Sequence, residues 1–189
     1  MLDRRIGEYI IRSWRMADAP AIAGYANNRK IWRYLRDAFP HPYALHDAEA
    51  FISHSLQHDP ETVFAIATPA QAIGSIGLMR GQDVHRFTAE LGYWLAEPFW
   101  GKGIATHAVK SITDYGIREL GLQRIFAEPY VTNPASARVL EKAGFTREGL
   151  LRANVFKDGQ VLDQFLYSYI ADLGVRPLAD ADGEAPNPA

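Results

Sequence analysis

A short glycine-rich segment carries the residues best suited to chemistry in this sequence. Gly101 and Gly103 lie two positions apart, in the connection between a strand-like run that ends at Leu95 and a long amphipathic segment that begins at Ile104. Glycine adopts positive φ values without steric cost and lets a ligand approach the backbone closely. The first N–H groups of a helix are unpaired and lie at the positive end of its dipole. The spacing therefore predicts an anion site, of the kind that binds phosphate, at this turn.

The spacing of these glycines separates the turn from the common nucleotide sites. A dinucleotide-binding turn has the pattern GxGxxG, and Thr106 stands where its third glycine is required. A P-loop has Ser or Thr after its Gly-Lys pair, whereas Gly101-Lys102 is followed by Gly103. The sequence therefore disfavours both nucleotide classes.

A second segment, downstream of the first, combines helix signals with polar side chains. Asn133 is a favourable N-cap before Pro134 at the first helical position, and Gly144 is a typical helix terminator. Ser136 has the position to satisfy donors of the first turn. Helix capping and ligand contact are compatible at Asn133, and the sequence leaves both open.

Together the two segments resemble the acyl-CoA-binding signature of the GNAT superfamily of N-acetyltransferases, particularly the branch typified by RimJ and RimL. The general pattern is Arg or Gln, two residues, Gly, one residue, then Gly or Ala. Gly103 and Ala105 match this pattern, and Trp100 stands at the Arg or Gln position, as is common in this branch. The downstream match comprises Asn133, Ser136 and a Gly-Phe pair. The resemblance implies acetyl-CoA as the cosubstrate, with cofactor contacts from Leu95, Trp100, Gly101, Lys102, Gly103, Ile104, Ala105, Thr106 and Asn133.

The resemblance also implies direct transfer of acetyl to a primary amine within a ternary complex. Many relatives use a Tyr as general acid for the leaving thiolate, but Leu140 stands at that position here. The RimJ/RimL-like branch usually has a Ser in this role, and the resemblance therefore implies Ser136 as the general acid. Glu90 precedes the turn on the same strand face as Trp94, which makes it the candidate general base. A solvent-facing carboxylate is the alternative for Glu90. A strand N–H near Leu95 is the expected oxyanion donor.

The residues that would bind the acceptor amine each have two interpretations. Four aromatic residues lie in one stretch, either as walls of an acceptor pocket or as core: Trp32, Tyr34, Phe39 and Tyr43. Asp163 in the last strand either faces the acceptor or stabilises the nearby turn. The acceptor amine is therefore either a small molecule or a protein N-terminus.

Hydrophobic periodicity predicts the elements that position these residues. Apolar side chains recur at helical spacing over 104–120, and the predicted strands span 9–15, 63–68, 72–80, 89–95, 124–130, 146–156 and 161–170. The resulting fold class is α/β (α+β), a GNAT-like mixed, mostly antiparallel seven-stranded sheet flanked by about four helices. By family analogy, the central strands ending at Leu95 and Tyr130 splay apart around the pantetheine arm.

Composition limits the alternatives. The chain has 189 residues, a net charge of −2 and no cysteine, which predicts one domain over 1–172 and a disordered tail over 173–189. No basic stripe suggests nucleic acid, and no apolar run reaches the roughly 18 residues of a membrane span. The absence of cysteine excludes thiolate chemistry, and the histidine spacing predicts no metal site.

The combined prediction is a cytoplasmic N-acetyltransferase that uses acetyl-CoA and has no nucleic-acid or membrane partner. The sequence leaves open whether the chain forms a homodimer. The alternative from another class is a non-catalytic acyl-CoA-binding sensor with the same fold.

Overall fold

The computed structural model describes residues 2–172, and the predicted disordered tail over 173–189 lies outside them. An eight-stranded sheet runs in the order β1-β2-β3-β4-β5-β6-β8-β7. Its strands are β1 Asp3–Ile6, β2 Tyr9–Arg12, β3 Val63–Ala67, β4 Ala72–Arg80, β5 Thr88–Leu95, β6 Arg124–Ala127, β7 Thr146–Lys157 and β8 Gln160–Ile170. The α-helices are α1 Ala19–Ala26, α2 Arg29–Trp32, α3 Leu45–Ser55, α4 Ile104–Arg118 and α5 Pro134–Lys142. The β5–β6 pair is parallel and the other strand pairs are antiparallel, so the predicted fold class is confirmed.

The predicted count of seven strands is wrong by one, because β1 was not predicted. Three of its four residues are charged, so it carries no apolar alternation that would indicate a strand. It pairs with β2 through a two-residue turn in which Gly7 has a φ of +68°. Arg4 pairs with Asp114 of α4 at 2.8 Å. Charged side chains are typical of an edge strand, since they discourage pairing with another chain.

The core lies on both faces of the sheet. On one face, Ile112 and the other apolar side chains of α4 pack against Phe64 and Ile66 of β3. On the other face, Ala65 packs with Trp14 and with residues of α1 and α3. Successive side chains of β3 therefore point to opposite faces of the sheet and join the two clusters in turn, as the two-residue period of a strand requires. Within residues 2–172 no helix is long and apolar enough to cross a membrane.

The two central strands separate, as predicted. The β5–β6 ladder runs only from Thr88↔Arg124 to Glu90↔Phe126. Beyond this point β5 continues to Leu95, whereas the chain after β6 turns toward β8 and forms a bridge between Tyr130 and Gln164. The sheet therefore opens between the second half of β5 and residues 127–130.

The substitution Glu148→Gln should lower stability by about 1 kcal/mol or less at neutral pH, because the pair is partly exposed and screened. Glu148 of β7 accepts hydrogen bonds from Arg124 of β6 and from Ser168 Oγ of β8, the latter at 2.6 Å. The Arg124 guanidinium, followed by the Ser168 hydroxyl, lowers the pKa of Glu148 from 4.5 to about 2. A lowered folded-state pKa contributes stability above the unfolded pKa and loses it as pH falls through the folded value.

Urea unfolding at a series of pH values checks this expectation. The stability difference between wild type and Glu148→Gln should be largest above a pH of about 4.5 and shrink toward about 2. Glu49→Gln makes the same chemical change at an exposed position of α3 and serves as the control. A difference that is constant across this range contradicts the proposed role of the pair.

Candidate active site

The glycine-rich turn has the geometry of an anion cradle. Gly101 and Gly103 both have a φ of +75°, and Gly103 is the N-cap of α4. A Cβ built at Gly101 meets no atom within 4 Å, and at Gly103 its nearest neighbour is the His107 ring at 3.8 Å. The backbone conformation, and not crowding, therefore requires glycine here. The N–H groups of the first turn of α4 lack intrahelical partners and are available to an anion.

A cavity of about 580 Å³ extends from this turn into the opening of the sheet, and we call it the turn cavity. It is bounded by the turn, by the last residues of β5, by the chain after β6 and by α5. Among its lining residues are Leu95, Trp100, Gly101, Gly103, Ile104, Ala105, Thr106, Asn133 and Ser136. The structure thus brings together eight of the nine residues that the resemblance implied for the cofactor, and adds Ser136.

Lys102 is the remaining residue of that set. It does not line the turn cavity; its ammonium lies over the Phe99 ring, 5.3 Å from the centroid. Three other basic side chains line the cavity: Lys30, which pairs with Glu97, and Arg138 and Lys142 of α5. Sequence reasoning missed the α5 pair, although two basic residues four apart on a predicted helix share a face.

Leu95 offers its backbone N–H to the opening of the sheet. Ala96 N–H donates to Ile73 O of β4 at 2.8 Å. Because backbone groups alternate along a strand, the N–H and C=O of Leu95 point away from β4, toward the opening. Trp100 Nε1 donates to this Leu95 carbonyl at 2.6 Å. The indole therefore ties the turn to β5, while the Leu95 N–H is left to face the cavity.

Asn133 has the capping role. Its Oδ1 accepts a hydrogen bond from Ser136 N–H at 3.2 Å at the start of α5. The same residue lines the turn cavity, so both roles considered for it are compatible with its position. The cap also holds Ser136 in place.

Substitutions at Asn133 separate the two roles. Asn133→Ala should lower the free energy of unfolding by about 1 kcal/mol through loss of the cap. Asn133→Asp keeps an equally good cap but adds a negative charge to the cavity wall. If the residue contacts an anionic cofactor, Asn133→Asp should retain wild-type stability yet bind CoA several-fold more weakly, as measured by calorimetry. Unchanged CoA affinity in Asn133→Asp leaves Asn133 with the capping role only.

The Ser136 hydroxyl is hydrogen-bonded to a tyrosine that sequence reasoning missed. Tyr93 Oη lies 2.8 Å from Ser136 Oγ and 3.3 Å from Ser136 O. Burial raises the pKa of Tyr93 to about 12, against a smaller opposing effect of the Ser136 hydrogen bond. The phenol therefore stays neutral over the physiological range, as a proton donor must. The two groups form a short hydrogen-bonded chain at the opening of the sheet.

A second cavity, of about 860 Å³, lies on the other side of this point. We call it the aromatic cavity, because its walls include Tyr34, Phe39, Tyr43, Phe51, Trp94 and Tyr130. Three of the four aromatic residues singled out in the sequence therefore line a pocket. Trp32 does not; its ring packs on His41 at 5.6 Å and beneath the Lys157 ammonium at 3.9 Å.

Glu90 lies in the aromatic cavity on the same strand face as Trp94, as predicted. Both of its carboxylate oxygens contact Arg36 Nη2, at 2.6 and 2.5 Å. The Glu90 carboxylate is therefore engaged in an ion pair with Arg36. Asp163 Oδ1 accepts a hydrogen bond from Ala153 N–H at 2.7 Å, which favours its structural interpretation.

Glu128 is another carboxylate that lines the aromatic cavity, and sequence reasoning missed it. It follows β6 directly, and its side chain has no hydrogen bond or ion pair among residues 2–172. Burial, and next the negative charge of Glu90, raise the pKa of Glu128, while Arg36 has the opposite effect. A carboxylate with a raised pKa is the stronger proton acceptor. In the described part of the chain, no group of three or more His, Asp or Glu side chains could hold a metal.

The two cavities meet at a shared boundary. The residues that line both are Tyr34, Leu35, Tyr93, Trp94, Pro129 and Ser136. A ligand bound at the glycine turn and a second ligand in the aromatic cavity can therefore approach each other beside the Tyr93–Ser136 pair.

The chain is similar to curated N-acetyltransferases of Bacillus subtilis. It is 37% identical over 100 residues to the uncharacterized N-acetyltransferase YoaA, covering 53% of this chain and 56% of that protein. It is 42% identical over 114 residues to the probable N-acetyltransferase YjcK, covering 57% of this chain and 63% of that protein. The matches thus span less than two thirds of either relative.

Solved structures and a family model agree with these matches. The RimJ of Mycobacterium smegmatis in complex with CoA-disulfide superimposes with a TM-score of 0.76 at 26% identity, covering 86% of this chain and 82% of that one. A family model described as an acetyltransferase (GNAT) domain matches residues 9–146. The resemblance inferred from the two sequence segments is confirmed, and the chain belongs to the GNAT family of N-acetyltransferases.

Proposed function

We propose that this acyltransferase moves acetyl from acetyl-CoA to a primary amine by direct attack within a ternary complex. The observation that carries the proposal is the meeting of the turn cavity and the aromatic cavity beside Tyr93 and Ser136. A reaction between two bound substrates requires two sites whose reacting ends come within contact distance. A binding protein for one ligand has no need of the second cavity.

The turn cavity fits the CoA portion of the donor. Its glycine turn and helix N-terminus suit the pyrophosphate, and Arg138 and Lys142 add positive charge at its edge. Leu95 at the end of β5 lines this cavity, and its N–H, which points away from β4, is available to a carbonyl oxygen. This supports Leu95 as the oxyanion donor. The similar RimJ structure, whose ligand is a CoA-disulfide, agrees with this use of the cavity.

The aromatic cavity fits the acceptor and supplies the base. The amine must lose a proton, because its ammonium form has no lone pair for attack. Glu128 accepts this proton, and Glu90 acts on it through its charge. The amine nitrogen then bonds to the acetyl carbon and the carbon–sulfur bond breaks. The thiolate takes a proton from Ser136, Ser136 takes one from Tyr93, and Tyr93 recovers its proton from the nitrogen, which must lose a second proton to become an acetamide. Glu128 releases the first proton to solvent. The products are an acetamide and free CoA.

Thiol release from acetyl-CoA tests the proposal. A panel of amines covering peptide N-termini, polyamines, aminoglycosides and simple alkyl and aryl amines should contain at least one that gives release above the blank. The non-catalytic sensor is the alternative, and it predicts a thermal shift with acetyl-CoA but no release with any amine. This second pattern refutes the enzymatic proposal while keeping the CoA site.

A further inference from the structure

Among residues 2–172, some of the charged side chains that line the aromatic cavity are paired with another group, and one is not. Four charged side chains line it: Arg36, Asp47, Glu90 and Glu128. Glu90 is neutralised by Arg36. Asp47 Oδ2 accepts a hydrogen bond from Ala44 N–H at 2.8 Å, and its Oδ1 lies 3.3 Å from His46 Nε2, so this carboxylate is occupied in capping α3. Glu128 is the carboxylate left for a ligand.

A single uncompensated carboxylate matches a single ammonium group. Transfer of a charged group out of water is costly unless an opposite charge receives it. A second ammonium in the same cavity would find its nearest carboxylates already paired, and would lie near the positive charge of Arg36. The cavity therefore favours a monocation over a polyamine.

The walls of the cavity are apolar and largely aromatic. The Phe39 ring lies 4.7 Å from Tyr43 and 5.8 Å from Trp94, measured between centroids. Such rings favour contact with another ring in offset or edge geometry. The cavity is thus suited to a substrate whose body is apolar and flat.

The floor of the cavity contains a pair of glycines. Gly77 of β4 and Gly92 of β5 are direct cross-strand partners, and both line the cavity. Opposite positions in a sheet ordinarily carry two side chains that would fill this space. At Gly92 a Cβ would meet only the Met79 methyl group, at 3.5 Å, so the backbone beside Trp94 is open there. At Gly77 the space is already taken by Thr62 O and Val63 Cγ2, each 3.0 Å from a Cβ. An aromatic ring can therefore lie against the bare backbone of Gly92.

We infer that the acceptor is a small monocationic amine with an apolar, aromatic body, of the phenethylamine type. The inference rests on the proposed function and specifies its substrate class. The ammonium binds at Glu128, near the boundary with the turn cavity, and the ring lies over Gly92 against the Phe39–Trp94 pair. A cavity of about 860 Å³ is ample for such a molecule.

Kinetic selectivity tests the inference. kcat/KM should be about tenfold higher for phenethylamine than for butylamine, which has the same charge without the ring. It should be lower still for putrescine and spermidine. The inference is overturned if a polyamine or a peptide N-terminus is the better substrate. Absence of turnover with every amine, while CoA still gives a thermal shift, refutes the proposed function instead.

Two sets of variants test the roles of charge directly. Glu128→Gln should weaken binding of phenethylamine to the CoA-saturated protein about tenfold, measured by calorimetry so that a role in proton transfer does not contribute. Glu8→Gln, in the exposed turn after β1, is the matched control. Equal amine affinity in wild type and Glu128→Gln contradicts the inference.

A gain of function is the stronger test. Asn154 lines the aromatic cavity and donates a hydrogen bond to Gln164 Oε1 at 2.7 Å. Asn154→Asp supplies a second carboxylate of the same shape, and should raise the putrescine-to-phenethylamine ratio of kcat/KM about tenfold. Asn154→Ala removes the amide without adding charge and should leave that ratio near the wild-type value. An unchanged ratio in Asn154→Asp contradicts selection by carboxylate count.

Discussion

Gly103→Val raises the Kd for CoA about 10- to 100-fold, because a β-branched residue is strained by roughly 1–3 kcal/mol at positive φ. Gly103 has a φ of +75° and is the N-cap of α4. A valine there either keeps this conformation, at a cost in stability, or relaxes to negative φ and turns the N–H groups away from the anion. In the second case, CoA can bind only when residue 103 returns to the strained positive-φ conformation. The energy of this strain then raises the Kd for CoA.

Gly121→Val is the matched control for this prediction. Gly121 has a φ of +67°, lies at the other end of α4, and its Cβ would meet no atom within 4 Å. It lines neither cavity. Both variants should lose thermal stability, but Gly103→Val alone should lose CoA affinity in calorimetry. Equal Kd values for the two variants would show that the turn does not hold the CoA phosphates.

The turn and its helix were predictable from the sequence because their signals are local. Two glycines, the start of the helical periodicity and the polar residues after it lie within a short stretch, and each has a direct conformational consequence. Strand alternation likewise placed Glu90 and Trp94 on one face of β5, and both line the aromatic cavity. These predictions required no knowledge of which strands pair.

The residues that were missed depend on contacts between distant parts of the chain. Tyr93 meets Ser136 across the opening of the sheet, 43 positions apart in sequence. Arg36 reaches Glu90 from the segment between α2 and α3, 54 positions away. Nothing in the local pattern around any of these residues indicates its partner. Glu128 was missed for a related reason, because its raised pKa results from burial in the folded chain and from the charge of Glu90 on β5.

β1 was missed for a different reason. Its residues are charged because it is the edge of the sheet, so the feature that protects the edge also removes the apolar alternation by which strands are recognised. Its pairing depends on the Gly7 turn, and one glycine beside a charged run is a weak signal.

The hydrogen-bonded pair of Tyr93 and Ser136 lies where the two cavities meet. Ser136→Ala should lower kcat about 100-fold, the usual contribution of a positioned general acid, with little change in the Kd for CoA. Tyr93→Phe retains the ring and removes the hydroxyl that lies 2.8 Å from Ser136 Oγ. The kcat of Tyr93→Phe should fall by a smaller factor than that of Ser136→Ala. Ser136 can still donate its proton to the thiolate, but Tyr93 no longer supplies a proton to Ser136.

The double variant distinguishes a relay from two independent contributions. If Tyr93 acts only through Ser136, the double variant should be no slower than Ser136→Ala, since residues acting as a unit are not additive. Tyr115→Phe removes a comparable phenol hydrogen bond, 3.0 Å to Glu61 O, outside both cavities, and controls for loss of stability. Additive losses in kcat would place Tyr93 outside the relay.

The pH dependence of the rate follows from Tyr93 and Glu128, whose pKa values are both raised. Tyr93, with a pKa of about 12, remains protonated throughout ordinary assays, so wild-type kcat should not decline in mildly alkaline buffer on its account. Glu128 must be ionised to accept a proton, and its pKa is raised. kcat/KM should therefore fall as pH is lowered through that raised pKa, and Glu128→Gln should abolish this limb. Because Ser136 is uncharged and the raised pKa of Glu128 results from burial and from Glu90, Ser136→Ala should lower the whole profile without shifting its acid limb.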